Sequence, residues 1–170
     1  MRKLIPLLLG SLIFITPVSL PAQSATTISI QPGAGVGPVQ LGAADSTLKA
    51  PKSNPFGLML MTSGKDTEYE GQTVYYYFYG PKAADNSHPL QVYSDVNHKV
   101  FIFEINSPKF KPPAGIGVGS PESALVKAYG DQLKKQKRGS IYVKYSLGGR
   151  KGTDFLVRAG KVSQILVRSY

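Results

Sequence analysis

TVYYYFYGPKAADNSHPLQVYSDVNHKVFIFEI, Thr73 to Ile105, and SIYVKYSLGGRKGTDFLVRAGKVSQILV, Ser140 to Val167, carry the same order of three strand-like runs. Lys99-Val100 of the first falls on Lys161-Val162 of the second. Upstream, GPVQLGAADSTLKA (Gly37 to Ala50) is echoed by AGIGVGSPESALVKA (Ala114 to Ala128), with Leu41-Gly42 on Val118-Gly119. A glycine turn, a helix and a meander occurring twice predict a duplicated supersecondary unit. The fold class expected is α+β: two tandem modules, each a glycine-led short helix packed on a three- or four-stranded antiparallel meander.

The strand runs are dense in β-branched and aromatic residues. Glycine, proline, asparagine and aspartate separate them, and Ala159-Gly160 is short enough for a tight hairpin. The first helix is expected from about Ala43 or Asp45 and stops before Pro51, because the residue before proline avoids helical geometry. The second has Ser120 as a cap, Pro121 at its first position, Glu122 near the positive end of its dipole and Gly130 as terminator. Ala124, Leu125 and Ala128 form its expected buried stripe. The stretch FGLMLM, Phe56 to Met61, has no counterpart in the second copy and reads as an extra strand or a buried crossing.

The domain boundaries follow. Residues 1–24 read as a signal peptide: Arg2-Lys3, an apolar run from Leu4 to Ile15, then Pro17 and the small residues near Ser24. The run is broken by Pro6, Gly10 and Ser11, and is too short for a spanning helix of about 20 apolar residues. Residues 25–105 form a first module, near neutral and tyrosine-rich, 106–113 (NSPKFKPP) a proline-rich linker, and 114–170 a strongly basic second module. No later segment is apolar enough to cross a membrane. The chain has no cysteine, so it has neither a disulfide framework nor the residue that would carry a lipid anchor. The expectation is a periplasmic or secreted protein that is not a lipoprotein.

Charge divides unevenly. Residues 25–105 hold five lysines and seven acids, net −2, whereas 106–170 hold thirteen Lys or Arg and three acids, net +10. Such asymmetry steers an anionic partner. Alternation in the second copy sets Ile141, Val143, Tyr145, Phe155, Val157, Ile165 and Val167 toward a core, leaving Tyr142, Lys144, Arg158, Gln164 and Arg168 on the opposite face. In the first copy Tyr75, Tyr77, Tyr79, Gln91 and Tyr93 are read as the matching outward set, with Glu104 beside them. If the sheets lie side by side, a tyrosine and arginine surface results, of the composition found at binding hot spots. The run KKQKR adds an anion patch at Lys134, Lys135, Lys137 and Arg138, in what reads as a solvated loop.

Catalytic constellations are weaker. The strings Gly33–Gly37 and Gly115–Gly119 lack the βαβ setting of a dinucleotide loop. Ser46-Thr47-Leu48-Lys49 matches a serine–lysine pattern without its companion motifs. His88 and His98 fall in loops, and Asp66, Glu68 and Glu70 in an exposed loop or edge. The sequence calls for no catalytic residues, cofactor or metal.

The order of LGAADSTL and GVGSPESAL, each leading into a helix and meander, with the hairpin FLVRAGKVSQI, resembles the small exported α+β modules typified by BamE of the outer-membrane assembly machinery. Two in tandem resemble the β-lactamase inhibitory protein, whose duplicated units offer a concave sheet to a partner enzyme. The chain departs from the first in lacking the lipid-bearing cysteine and from the second in lacking cysteines and in its basic charge. The resemblance implies binding through an exposed sheet face, without transfer of either family's activity. The functional expectation is therefore a non-catalytic exported binding protein that recognises a protein or an anionic envelope component, such as a wall polymer or lipid head groups. Export makes nucleic acid a poor candidate. The alternatives are a small exported hydrolase using carboxylates or histidines of the first module, or a structural periplasmic protein without a defined ligand.

Overall fold

A computed structural model of the chain describes residues 27–50, 54–84, 87–139 and 141–169; the expected signal peptide lies outside them. Strands β1 (Ile28–Gln31), β2 (Gly35–Val36) and β3 (Val39–Gln40) come first, followed by a 3-10 turn at Asp45–Lys49. The first meander is β4 (Leu60–Tyr69), β5 (Gln72–Tyr79), β6 (Leu90–Ser94) and β7 (Val100–Ile105). After β8 (Phe110–Lys111) and helix α1 (Glu122–Tyr129) comes the second: β9 (Leu133–Arg138), β10 (Tyr142–Gly148), β11 (Lys151–Arg158) and β12 (Lys161–Ser169).

The two meanders share one antiparallel sheet of eight strands, ordered β4-β5-β6-β7-β12-β11-β10-β9. β7 and β12 pair at its middle, with Ile105 opposite Ile165 and Phe103 opposite Val167. A second sheet, β3-β2-β1-β8, has four short strands. The core lies between this small sheet, the 3-10 turn and α1 on one side and one face of the large sheet on the other. Ile30, Val36, Leu48, Phe110 and Leu125 meet Tyr79, Phe103, Phe155, Ile165 and Val167, all with no exposed surface.

This overturns the expected α+β class. Among the described residues the chain is mostly strand, with one short α-helix, and its meanders fuse instead of closing two modules. The first expected helix is a five-residue 3-10 turn. KKQKR, read as a loop, belongs to edge strand β9, and Asp66 lies on edge strand β4. The expected linker supplies β8, which pairs in parallel with β1, and Phe110 sits wholly inside the core. In α1, Leu125 is buried and Gly130 ends the helix at φ +50, but Ala128 is exposed and Tyr129 packs inward instead.

The internal repeat is visible in matching backbone bonds. Gly42 N–H donates to Val100 O and Val100 N–H to Ala43 O; Gly119 N–H donates to Val162 O and Val162 N–H to Ser120 O. Each hairpin therefore carries the entry to its own 3-10 turn or helix at the same place. Asp45 N–H on His98 O and Glu122 N–H on Gly160 O continue the match. His98 and Gly160 both hold left-handed φ, +59 and +72, as tight turns between antiparallel strands require.

Candidate functional site

The large sheet's other face carries the site. In β11, Thr153, Phe155 and Val157 turn into the core, so Asp154, Leu156 and Arg158 point the opposite way. Strand pairing sets Leu156 beside Lys144 and Gln164, Arg158 beside Tyr142, and Asp154 beside Leu166, which in turn neighbours Glu104. With Tyr69, Glu70, Ser87, Ile102, Asn106, Ser163 and Arg168 these residues line an open groove of about 550 Å³. That volume lies within the range of small-ligand sites.

One wall comes from the β4–β5 hairpin. The Tyr69 hydroxyl, on β4, donates to Glu104 Oε1 on β7 at 3.3 Å. Three strand spacings, about 14 Å in a flat sheet, separate those strands, so the sheet curls to bring them together. The Tyr69 ring lies 4.7 Å from that of Tyr93, and Val74, Tyr76, Phe78 and Ile102 complete a small apolar cluster under the hairpin. Burial raises the Glu104 pKa; the Tyr69 hydrogen bond opposes this, and Glu70 adds to it. Burial likewise raises the Tyr69 hydroxyl, helped by Glu104 and Glu70, so Tyr69 remains a donor.

The opposite wall is cationic. Arg168 Nε donates to Asp154 Oδ2 at 2.7 Å, its Nη2 also reaches that oxygen, and Lys144 Nζ stands 3.7 Å away. All three residues are nearly buried. A carboxylate held by two cations in this setting fixes their positions, so Asp154 braces the wall. Arg158 is exposed, its guanidinium 5.8 Å from the centre of the Tyr142 ring. Among the described residues, no carboxylate lies within ion-pair distance of Arg158.

The structure therefore brings together Tyr142, Lys144, Arg158 and Arg168, as alternation in the second copy implied, although Ile141 is exposed rather than packed inward. Tyr93 lies on the same face but is covered by Tyr69. Tyr77 and Tyr79, expected outward, are core residues at 2% and 0% exposure. Their hydroxyls donate to Asp45 Oδ2 and Leu48 O, both at 2.7 Å. Tyr75 shares their side and stacks on His98 at 4.3 Å. The outward residues of β5 are Tyr76 and Phe78, one position out of phase with the expectation. Of the anion patch, Lys134 pairs with Ser146 on the groove's side of the sheet, while Lys135 and Lys137 pair with Tyr145 and Val143 on the other. Lys135 is engaged by Glu122 at 3.3 Å. Arg138 stands opposite Tyr142 in register.

No family model matches the chain, and no curated protein matches it. The fold is similar to the crystal structure of the uncharacterized protein yfeY from Escherichia coli, with a TM-score of 0.52 and 17% identity over 84% of this chain and 99% of that one. At that identity the likeness concerns the fold alone.

Sequence reading missed Asp154, Leu156, Leu166 and Tyr69. Asp154 had a signal, since it shares the phase of Arg158 four residues on. Tyr69 had none, because its place depends on the curl of the sheet. His88 and His98 are also engaged: His88 Nδ1 lies 2.9 Å from Gly80 O and His98 Nδ1 2.9 Å from Asp45 Oδ2. Among the described residues, no group of three or more His, Asp or Glu side chains is placed to hold a metal ion.

Proposed function

We propose that this is a non-catalytic exported binding protein that recognises a protein or an anionic component of the cell envelope through the outward face of its large sheet. The groove at Tyr142, Lys144, Arg158 and Arg168 supports the reading: an exposed arginine on a tyrosine ring, backed by two cations that Asp154 holds in place. Arginine and tyrosine suit this role because the guanidinium fork pairs with carboxylate or phosphate while the ring adds rigid contact area. Export rests on the character of residues 1–24. Binding by a sheet face is also what the resemblance to the inhibitory protein implies, and it does not need that family's tandem architecture.

The test is capture from host envelope extract on the immobilised protein at low and high salt, beside an Arg158→Glu, Tyr142→Ala variant. Both side chains are at the surface and neither braces Asp154, so the variant should fold. A discrete species retained at both salts and lost in the variant is expected, because screening weakens exposed charge alone. Retention unchanged in the folded variant overturns the assignment.

A further inference from the structure

The groove carries charge of both signs, separated by an apolar floor. Glu104 and Glu70 stand at the hairpin end, Arg158 and Lys144 at the far end, and Leu156 and Leu166 lie between, beside the mutually paired Asp154 and Arg168. A ligand that was only anionic would meet two carboxylates at one end. A purely apolar ligand would strip water from Glu104 and Arg158 without offering either an opposite charge, and desolvating a charge that way is costly. We propose that the groove holds a short zwitterionic peptide, its ammonium end at Glu104 and Glu70 and its carboxylate end at Arg158. This rests on the binding role proposed above and narrows it to one ligand class.

Dimensions agree. From Glu104 to Arg158 is two strand steps across and four residues along, which in a flat sheet puts their Cα atoms roughly 16 Å apart. Both side chains reach into the gap, and the sheet's curl narrows it further. A peptide of three or four residues spans about 10–14 Å when extended. Polar groups beside the floor, Gln164 and Asn106 among them, can meet its amides. Burial already works against the charge on Glu104, so an arriving ammonium stabilises a carboxylate whose ionisation the surrounding protein disfavours.

The experiment is calorimetric titration of the full protein with alanyl-leucyl-alanine, its N-acetyl form and its C-terminal amide. Each block is expected to weaken binding about 10-fold or more, the loss of one charge-assisted bond. A variant carrying both Glu104→Gln and Glu70→Gln should make the acetylated and unblocked peptides bind alike while keeping the amide penalty; Arg158→Ala should do the reverse. Far-UV circular dichroism confirms that both variants fold. Equal binding of all three peptides, or no saturable binding by any, overturns the inference. Loss of envelope capture in the Arg158→Glu, Tyr142→Ala variant, with no peptide bound, would then leave the broader binding role standing and remove only the zwitterion.

Discussion

Asp45 shows how much one buried side chain organises. At 2% exposure it accepts from Tyr77 at 2.7 Å and Ser94 at 2.6 Å, and faces His98 Nδ1 at 2.9 Å, tying the 3-10 turn to three parts of the first meander. Burial alone would push its carboxyl up, but the bonds from Ser94, Tyr77 and His98 outweigh it and hold the pKa below the usual value. Asp45→Ala leaves two buried hydroxyls without their acceptor and should cost about 2–5 kcal/mol in urea unfolding. Because the folded pKa is depressed, this contribution is complete above an unfolded value of about 4 and is lost as pH falls through the folded one. The gap between wild type and Asp45→Ala should therefore shrink toward pH 2. Glu104 behaves oppositely. Its pKa is raised, so its ionisation burdens the folded state above the folded value, and no burden exists below the unfolded one. Glu104→Gln should raise the urea midpoint at pH 7 and leave it unchanged at pH 3.

At the scale of elements, the small sheet depends on close backbone approach. A Cβ at Gly35 would stand 2.1 Å from Val39 O, a backbone atom that cannot swing aside. Gly35→Ala should cost about 1–3 kcal/mol or more and lower the melting temperature, whereas alanine at exposed Ser123 should change little. Legibility also varied by element. Val143, Phe155, Val157 and Val167 fall in one phase of their strands, so Tyr142, Lys144, Arg158 and Arg168 in the other could be read directly, whereas Leu156 and Leu166, apolar residues of that outward phase, could not. β5 offers aromatic residues in both phases, and its choice of face is made by Asp45 and Leu48 O receiving the Tyr77 and Tyr79 hydroxyls. No local pattern records such partners. The linker misled for a related reason: three prolines hid Phe110, whose burial comes from pairing with β1, some eighty residues earlier. The basic run misled because its five residues take strand geometry from register with β10, not from their own preference.

For the whole molecule, the pairing of β7 with β12 decides how stability is shared. Phe103 and Ile105 on one side and Ile165 and Val167 on the other are fully buried only when the meanders meet. Residues 27–105 and 106–169 made separately should each lack a cooperative melting transition, while their mixture or the joined chain should show one; two independent transitions in the joined chain would contradict this. The same pairing sets an order of events. β12 is the last described strand along the chain, yet it occupies an inner place in the sheet with neighbours on both sides. As the chain emerges from the ribosome, β7 and β11 both wait with bare edges until residues near Ser169 arrive. The unfinished chain thus cannot close its large sheet until nearly the whole of it has been made, so the final strand acts as the latch of the fold.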